Sequence, residues 1–216
     1  MQHMIAPSIL NADFLKLGEV IAMLNASEAD LIHLDIMDGM FVPNLSFGFP
    51  IIEQIKAKAE KPLDVHLMTA SPERYLERYR DSGADILTVH YEACDDLAKT
   101  LDDIASLGMK PSVSIKPGTD VAVLEPFLEK LYMILIMTVE PGYGGQSFME
   151  ISWDRVRTLR SMIDRAGSGT LIEVDGGIGK QNLAELRNAG VNVFVIGTSI
   201  FRADNPAQMI RELKTM

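Results

Sequence analysis

The stretch LIHLDIMDG, residues 31–39, joins a strand-like run of aliphatic residues to a histidine and an aspartate spaced two apart. Residues i and i+2 of a β-strand point to the same face, so His33 and Asp35 project together, with Met37 next along the strand. An imidazole and a carboxylate that converge at a strand end can ligate a metal or act as acid and base. The alternative is a buried hydrogen bond between the two side chains. Polar residues on the other strands of the chain are needed to distinguish these interpretations.

Short aliphatic runs of this kind recur eight times, separated by stretches with helical patterns. Eight parallel strands joined by crossover helices predict a TIM (β/α)8 barrel that occupies residues 1–216 as a single domain. An open doubly wound sheet is disfavoured, because the first strand reads APSILNAD and lacks a glycine-rich dinucleotide fingerprint. The predicted strands are Ile5–Leu10, Leu31–Ile36, Leu63–Met68, Ile86–His90, Pro111–Ile115, Met133–Thr138, Leu171–Val174 and Val193–Ile196.

Composition narrows the class of function. The formal charge of −10 over 216 residues argues against nonspecific binding to nucleic acid or to anionic membranes, since both require a basic surface. The single cysteine, Cys94, excludes an internal disulfide framework and fits a reducing compartment. The N-terminal sequence does not resemble a signal peptide, and the longest apolar run is far shorter than the ~20 residues of a membrane helix. We therefore expect a cytoplasmic protein.

Polar side chains fall at the predicted carboxyl ends of several strands, where TIM barrels carry their chemistry. Two histidines and two aspartates from three of these strands form a ligand set suited to one divalent ion, Zn²⁺, Fe²⁺, Mn²⁺ or Co²⁺. His90 is either a competing ligand or a hydrogen-bonded wall residue. Asp64 and Glu173 lie one layer deeper, where we expect structural hydrogen bonds. The candidate metal ligands are His33, Asp35, His66 and Asp175.

Two glycine-rich turns and one further strand end predict an anion site. Glycine lets backbone N–H groups approach a phosphate, and the loops after strands seven and eight of a barrel commonly bind one. The alternative is that the glycines only make the turns. The absence of a P-loop lysine favours a small sugar phosphate over a nucleotide. The positions are Gly142, Tyr143, Gly144 and Gly145 after strand six, Gly176 and Gly177 after strand seven, and Gly197 and Thr198 after strand eight.

Together the two sites suggest a reaction class. A divalent ion that polarises a carbonyl, with an aspartate on each side of the adjacent carbon, suits removal of a proton from one face and its return to the other. That reaction is epimerisation through an enediolate. General-base catalysis alone contributes about 10²–10⁴-fold, roughly 3–5 kcal/mol, whereas enzymes lower barriers by about 8–23 kcal/mol. An electrophile that stabilises the developing oxyanion is therefore expected as well.

Six segments together resemble the ribulose-5-phosphate 3-epimerase family over nearly the whole chain: APSILNADF, HLDIMDGMFVPN, DVHLM, VEPGYGGQSFME, IEVDGG and GTSIF. The resemblance implies a TIM-barrel isomerase of the pentose phosphate pathway that interconverts D-ribulose 5-phosphate and D-xylulose 5-phosphate. It also implies a divalent metal cofactor. Members of the family often form dimers or hexamers, so a homo-oligomer is expected.

The resemblance further implies roles for individual residues. Asp35 and Asp175 resemble the two acid/base residues and, with His33 and His66, the metal ligands. The glycine positions named above, with Ser8 and His66, resemble the substrate and phosphate binders. Three methionines resemble those that line the reaction centre and shield the enediolate, although ordinary core packing is the alternative for them. These methionines are Met37, Met68 and Met137.

Departures from the family pattern are few, and they bear on substrate preference rather than on reaction type. Met40 stands where many relatives carry histidine, Tyr143 replaces a common phenylalanine, and Thr198-Ser199 replaces a frequent Ser-Ala. The nearest rival function is a 3-epimerase for a hexulose 6-phosphate such as D-allulose 6-phosphate, some of which read DGS where this chain reads DGG. A decarboxylase or Schiff-base aldolase would need an active-site lysine, and a noncatalytic sugar-phosphate sensor is a third alternative.

Overall fold

The computed structural model describes residues 3–216, in which eight parallel strands form one sheet rolled into a barrel. The strands are β1 (Met4–Pro7), β2 (Ile32–Met37), β3 (Leu63–Met68), β4 (Ile86–His90), β5 (Lys110–Ile115), β6 (Met133–Met137), β7 (Leu171–Asp175) and β8 (Val193–Ile196). Strands β2 to β8 pair in sequence order, and β8 pairs with β1. The predicted TIM barrel is confirmed.

The joint between β1 and β2 is the shortest in the barrel. A single parallel bridge joins Ser8 to His33, and the Ile5 carbonyl accepts from the Asp30 and Leu31 amides at 2.9 and 3.4 Å. Elsewhere three to six residue pairs join neighbouring strands. The barrel therefore has its weakest strand pairing between β1 and β2, the strand that carries His33 and Asp35.

Helices follow the strands on the outside of the barrel. They are α1 (Leu17–Ala26), α2 (Phe49–Lys56), α3 (Leu76–Asp81), α4 (Leu97–Ser106), α5 (Ser152–Ala166), α6 (Leu183–Asn188), α7 (Thr198–Phe201) and α8 (Pro206–Lys214). Side-chain caps define several starts, since Asp96 accepts from the Lys99 amide at 3.0 Å. The β5–β6 connection contains a 3₁₀ segment, Val121–Phe127, in which Pro126 cannot donate a helical hydrogen bond.

The first predicted strand, Ile5–Leu10, is too long. Strand β1 ends at Pro7, and Ile9–Asn11 form a 3₁₀ turn. The Ser8 amide donates to the last residue of β8, Ile196, at 3.2 Å. Beyond Ile196 β8 offers no further partner, so the backbone after Ser8 forms hydrogen bonds within its own turn, for example from the Ala12 amide to the Ile9 carbonyl at 2.9 Å. The short helix α7 is not among the predicted elements, because the sequence pattern of Gly197-Thr198-Ser199 indicates only a strand end beside an anion site.

Every strand has an outer face that packs on helices and an inner face that fills the barrel. In β2, for example, the side chains of Ile32, Leu34 and Ile36 lie in the main hydrophobic core. An apolar layer closes one end of the barrel interior and consists of Ala6, Leu31, Ile86, Met133, Val193 and Val195. Polar side chains lie beyond this layer, towards the carboxyl ends of the strands. The candidate site is therefore built on an apolar base.

The first described residue, His3, lies against the C-terminal helix α8. The His3 Nε2 group donates to the Leu213 carbonyl at 2.9 Å, and Lys214 Nζ forms an ion pair with Asp30 at 2.6 Å. Lys214 Nζ also donates to the His3 carbonyl at 2.7 Å. Helix α8 is thus fixed beside β1.

Within residues 3–216, none of the helices combines the length and the apolar character that crossing a membrane requires.

Candidate active site

The four residues predicted as metal ligands meet inside the barrel, with His33 and Asp35 on β2, His66 on β3 and Asp175 at the end of β7. One nitrogen or oxygen atom from each side chain lies within 4.8 Å of the corresponding atoms of the other three. His33 and His66 are fully buried, Asp35 is buried, and Asp175 is partly exposed. Two imidazoles and two carboxylates at this spacing can hold a divalent metal ion.

Asp35 occupies the centre of the cluster. Its Oδ2 atom accepts from the Ser8 hydroxyl at 2.6 Å, while its Oδ1 atom lies 3.2 Å from His66 Nδ1 and 3.4 Å from His33 Nε2. Burial alone would raise the pKa of Asp35, but the adjacent His33 outweighs burial and lowers that pKa well below its usual range. The carboxylate of Asp35 is therefore ionised.

His33 is held from behind by a second carboxylate. Its Nδ1 atom lies 2.6 Å from Asp64 Oδ2, whereas its Nε2 atom is buried and has no hydrogen-bond partner in residues 3–216. Burial alone would lower the pKa of His33, but Asp35 and Asp64 together raise it well above its usual value. The position thus attracts positive charge, and the unsatisfied Nε2 atom fits a bound cation.

Asp175 has the opposite electrostatic environment from Asp35. Burial, together with repulsion from the Asp35 carboxylate, raises the pKa of Asp175 to about 7. Its main chain is fixed by Thr138, whose amide donates to the Asp175 carbonyl at 2.8 Å. The Thr138 hydroxyl lies 2.7 Å from the same carbonyl. Two aspartates with contrasting affinity for a proton therefore meet in one site.

His90 is a hydrogen-bonded wall residue, the second of the two interpretations that the sequence left open. Its Nε2 atom lies 2.9 Å from His66 Nε2, and its Nδ1 atom lies 3.2 Å from Glu92 Oε2. Burial lowers the pKa of His90 to about 4, and burial likewise lowers the pKa of His66. Burial would raise the pKa of Glu92, but its hydrogen bonds, first that with His90, lower it to about 2. Both imidazoles are therefore neutral beside an ionised carboxylate.

The deeper carboxyl groups differ from each other. The expected structural hydrogen bond is confirmed for Asp64, which pairs with His33. Neither carboxyl oxygen of Glu173 has a hydrogen-bond partner among the described residues, although the side chain is fully buried. Burial and the nearby Asp64 raise the pKa of Glu173 well above its usual value, so this group is uncharged.

A cavity of about 530 Å³ opens above the cluster. Asp35 and Asp175 line it, together with Ser8 and the three predicted methionines, Met37, Met68 and Met137. All the predicted glycine positions also line it, as do Tyr143 and Thr198. His33 and His66 are fully buried behind this surface. The predicted metal set and the predicted anion site thus share one cavity.

Two asparagines that contact the glycine turns of the cavity were not predicted as site residues. Asn44 Nδ2 donates to the Gly142 carbonyl at 2.7 Å and so joins the loops after β2 and β6. Asn11 packs between two glycines, because a Cβ atom on Gly144 would lie 2.7 Å from its Nδ2 atom and one on Gly197 would overlap its Oδ1 atom. The only sequence signal for Asn11 was its place directly after the first strand, in SILNAD.

Arg155 of α5 forms hydrogen bonds with the backbone at the end of β6 and in the loop after β5. Its guanidinium is largely buried, and it donates to the Met137 carbonyl at 2.9 Å and to the Lys116 carbonyl at 2.8 Å. One side chain therefore couples the end of β6 to the loop after β5. Lys116 itself lies on the surface of the Phe41 ring, with Nζ 3.9 Å from the ring centroid.

Solved structures share the fold with this chain at low sequence identity. A KGPDC from Streptococcus mutans aligns over 100% of this chain and 97% of its own length, with a TM-score of 0.72 at 18% identity. A mutant tryptophan synthase α-subunit from Pyrococcus furiosus aligns over 99% of this chain and 95% of its own length, with a TM-score of 0.68 at 15% identity. These similarities concern the fold alone.

Sequence relatives are much closer. A ribulose-phosphate 3-epimerase from Synechocystis sp. is 45% identical over 208 residues, which cover 95% of this chain and 90% of that protein. One from Bacillus subtilis is 41% identical over 211 residues, covering 97% of each chain. The model of the ribulose-phosphate 3 epimerase family, a family of isomerases, matches residues 4–201. On these grounds the chain belongs to the ribulose-phosphate 3 epimerase family.

Proposed function

We propose that this protein epimerises D-ribulose 5-phosphate at C3 to give D-xylulose 5-phosphate, with Asp35 and Asp175 as its two acid/base residues. The observation that carries the proposal is the meeting of these two carboxyl groups in one cavity with contrasting proton affinity. At neutral pH Asp35 is ionised and can accept the C3 proton, while Asp175, with a pKa of about 7, can both take up and release a proton. Such a pair suits inversion at a carbon placed between them.

His33, Asp35, His66 and Asp175 would hold the single divalent ion, which we propose is Zn²⁺, Fe²⁺, Mn²⁺ or Co²⁺. When bound, the ion supplies a positive charge that stabilises the oxygen of the enediolate. Side chains of the protein transfer the protons. One aspartate takes the C3 proton from one face, and the other returns a proton to the opposite face. Ser8 keeps its hydrogen bond to Asp35 Oδ2, which fixes the orientation of that carboxylate.

Water must be kept from the reacting carbon, because a stray proton on the enediolate would return substrate or make a wrong product. Met37, Met68 and Met137 are buried and line the cavity beside the aspartates. Their thioether chains offer an apolar wall without acidic protons. We propose that they exclude water from the proton-transfer region.

The phosphate end of the substrate would lie against the glycine turns. Gly144, Gly145, Gly177 and Gly197 all line the cavity, beyond the ends of β6, β7 and β8. Backbone N–H groups in turns of this kind bind phosphate without a lysine. Lys116 supports this interpretation indirectly, because its Nζ packs on Phe41 and it does not line the cavity. A Schiff-base reaction would require a lysine there.

Assembly, location and domain organisation extend the proposal. The family resemblance suggests a homo-oligomer, either a dimer or a hexamer. The acidic charge and the single cysteine suggest a cytoplasmic enzyme of the pentose phosphate pathway without nucleic-acid or membrane partners. We also propose that residues 1–216 act as one barrel domain, since the site draws on β1, β2, β3, β7 and their loops.

Turnover by the purified protein tests the function. D-ribulose 5-phosphate and D-allulose 6-phosphate are assayed in parallel, before and after chelation and with each of the four metals added back. We expect preference for the pentulose and activity restored by metal. Preference for the hexulose would retain the chemistry and change the substrate, whereas inactivity with every metal would favour a sugar-phosphate sensor.

Two substitutions test the roles of the aspartates. We expect Asp35→Asn and Asp175→Asn each to lower kcat by at least about 10²–10⁴-fold, the usual contribution of a general base, in a folded protein. Asp38→Asn is the matched control, because Asp38 caps the Met40 and Phe41 amides at 2.8 and 2.9 Å and is outside the metal cluster. Near-normal turnover in either test variant would refute the two-base assignment.

A further inference from the structure

A chain of hydrogen-bonding groups extends from the candidate metal cluster into the wall of the barrel. His66 Nε2 lies 2.9 Å from His90 Nε2, and His90 Nδ1 lies 3.2 Å from Glu92 Oε2. Both imidazoles are fully buried, and their ring centroids are 5.0 Å apart. His90 and Glu92 do not belong to the cluster of four candidate ligands. Their contacts nevertheless determine which nitrogen of His66 carries a proton.

The direction of each hydrogen bond follows from its neighbour. The carboxylate of Glu92 can only accept, so His90 Nδ1 must be the protonated nitrogen of a neutral ring. His90 Nε2 is then an acceptor, and His66 Nε2 must donate to it. The remaining nitrogen of His66, Nδ1, consequently carries a lone pair. The reverse order would place the lone pair of His90 Nδ1 against the Glu92 carboxylate.

The lone pair on His66 Nδ1 faces the metal cluster. This atom lies 3.2 Å from Asp35 Oδ1, and the unpartnered Nε2 atom of His33 lies 3.4 Å from the same oxygen. The two ring nitrogens and the carboxylate oxygen thus converge on one point, as the ligand atoms of a bound cation would. Each candidate histidine ligand thus has a partner on the nitrogen that faces away from the cluster. Asp64 contacts Nδ1 of His33 at 2.6 Å, and the His90–Glu92 pair contacts Nε2 of His66.

Glu92 is itself fixed by the loop after β5. Its Oε1 atom accepts from the Lys116 amide at 2.8 Å and from the Thr119 hydroxyl. The same loop is held by Arg155, through the Lys116 carbonyl at 2.8 Å. The Phe41 ring covers His90 at a centroid distance of 4.7 Å. Glu92 therefore needs no rearrangement to hold His90 in place.

We propose that His90 and Glu92 are positioning residues, which fix His66 in the tautomer that presents Nδ1 to the bound metal. The inference rests on the proposed metal site and deepens it. Such partners of ligating histidines typically contribute about 10–100-fold to metal affinity. They act through His66 and do not touch the substrate.

The tautomer is measured directly by ¹⁵N NMR of histidine-labelled protein, both metal-free and loaded with Zn²⁺, at mildly alkaline pH. We expect His66 to carry its proton on Nε2 in both samples. A proton on Nδ1 would overturn the inference. The metal-free spectrum reports the tautomer even if the protein binds no Zn²⁺ and shows no turnover, so failure of the proposed function is distinguishable.

Metal affinity provides the second measurement. We expect Glu92→Gln to weaken Co²⁺ binding, measured by competition with a chromophoric chelator, by about 10–100-fold and to alter the visible spectrum of the bound Co²⁺. Thr119→Val keeps the Glu92 carboxylate but removes one of its hydrogen bonds, so it should cause a smaller loss of Co²⁺ affinity. It replaces Glu92→Gln in the test if that variant does not fold. The matched control is Ser114→Ala, which removes a fully buried hydroxyl without a hydrogen-bond partner, paired in register with His90 on the neighbouring strand. Equal Co²⁺ affinity and spectrum in wild type, Glu92→Gln and Ser114→Ala would overturn the inference.

Discussion

Gly177 and Gly167 provide a matched pair that separates backbone strain from steric overlap. Both have left-handed backbones, with φ of +66° and +63°. A Cβ atom on Gly167 would have nothing within 4 Å. A Cβ atom on Gly177 would overlap the backbone nitrogen of Phe148 and lie 2.8 Å from its Cα atom. Alanine at the two positions therefore carries the same conformational strain, but only one substitution creates a clash with main chain.

The free energies follow from these contacts. A left-handed conformation costs a residue with a Cβ atom about 1–2 kcal/mol, and a less flexible unfolded state returns about 0.4–1 kcal/mol of it. We therefore expect Gly167→Ala to lower the free energy of unfolding by about 1 kcal/mol. Forcing the loop at Phe148 aside adds about 1–3 kcal/mol, by analogy with overpacking. Gly177→Ala should lose about 3 kcal/mol in total, which corresponds to a fall in Tm of about 6–12 °C for a chain of this size.

Urea denaturation of both variants measures the difference, and KM for the sugar phosphate provides an independent readout. Gly177 and Phe148 both line the cavity, so displacement of their loop should raise KM in Gly177→Ala and leave it unchanged in Gly167→Ala. Equal losses of stability, or equal KM values, would refute the reasoning that the close approach of the two loops shapes the substrate site.

Three further substitutions or modifications have clear expectations. Arg155→Lys loses at least one of three carbonyl contacts, since a single ammonium does not reproduce the guanidinium fork, and we expect about 1–3 kcal/mol lower stability in urea denaturation. Asn44→Ala removes the bond that joins the loop after β2 to Gly142 in the cavity lining, and should raise KM while leaving Tm nearly unchanged; an unchanged KM would contradict this role. Burial and the nearby Glu73 raise the pKa of Cys94 from 9.0 to about 12, so its thiol stays protonated up to strongly alkaline pH. Alkylation by iodoacetamide near pH 8 should be slow in the folded protein and fast in urea, and rapid alkylation without urea would be the contrary result.

The strands were predictable because they are buried on both faces and read as uninterrupted aliphatic runs. The bounds predicted for the third, fourth and eighth strands are those of β3, β4 and β8. The first strand was predicted too long because Ile9 and Leu10 continue the aliphatic pattern. Only the end of the neighbouring strand β8, which sequence periodicity does not report, determines where pairing stops.

The cluster was predictable from the period of two in β-strands, which places His33 and Asp35 on one face. The hydrogen bonds that join the cluster to His90 and Glu92 were not predictable. The contact between His66 Nε2 and His90 Nε2 depends on the register and twist of two strands, and Glu92 reaches His90 from a 3₁₀ turn. Contacts of this kind arise from tertiary geometry, so neither composition nor spacing indicates them.

The pairing of β1 with β8 has a consequence for biosynthesis. Residues 4–7 pair in strand register only with residues 193–196, which are synthesised after all the other strands. During translation the earlier strands are already present while the edges of β1 and β7 still expose unpaired backbone groups, which other chains can pair with. Asp175 pairs in register with Val195, so β8 completes the strand pairing around the metal cluster. A chain cut short before residue 193 would therefore be both prone to aggregation and unable to complete its metal site.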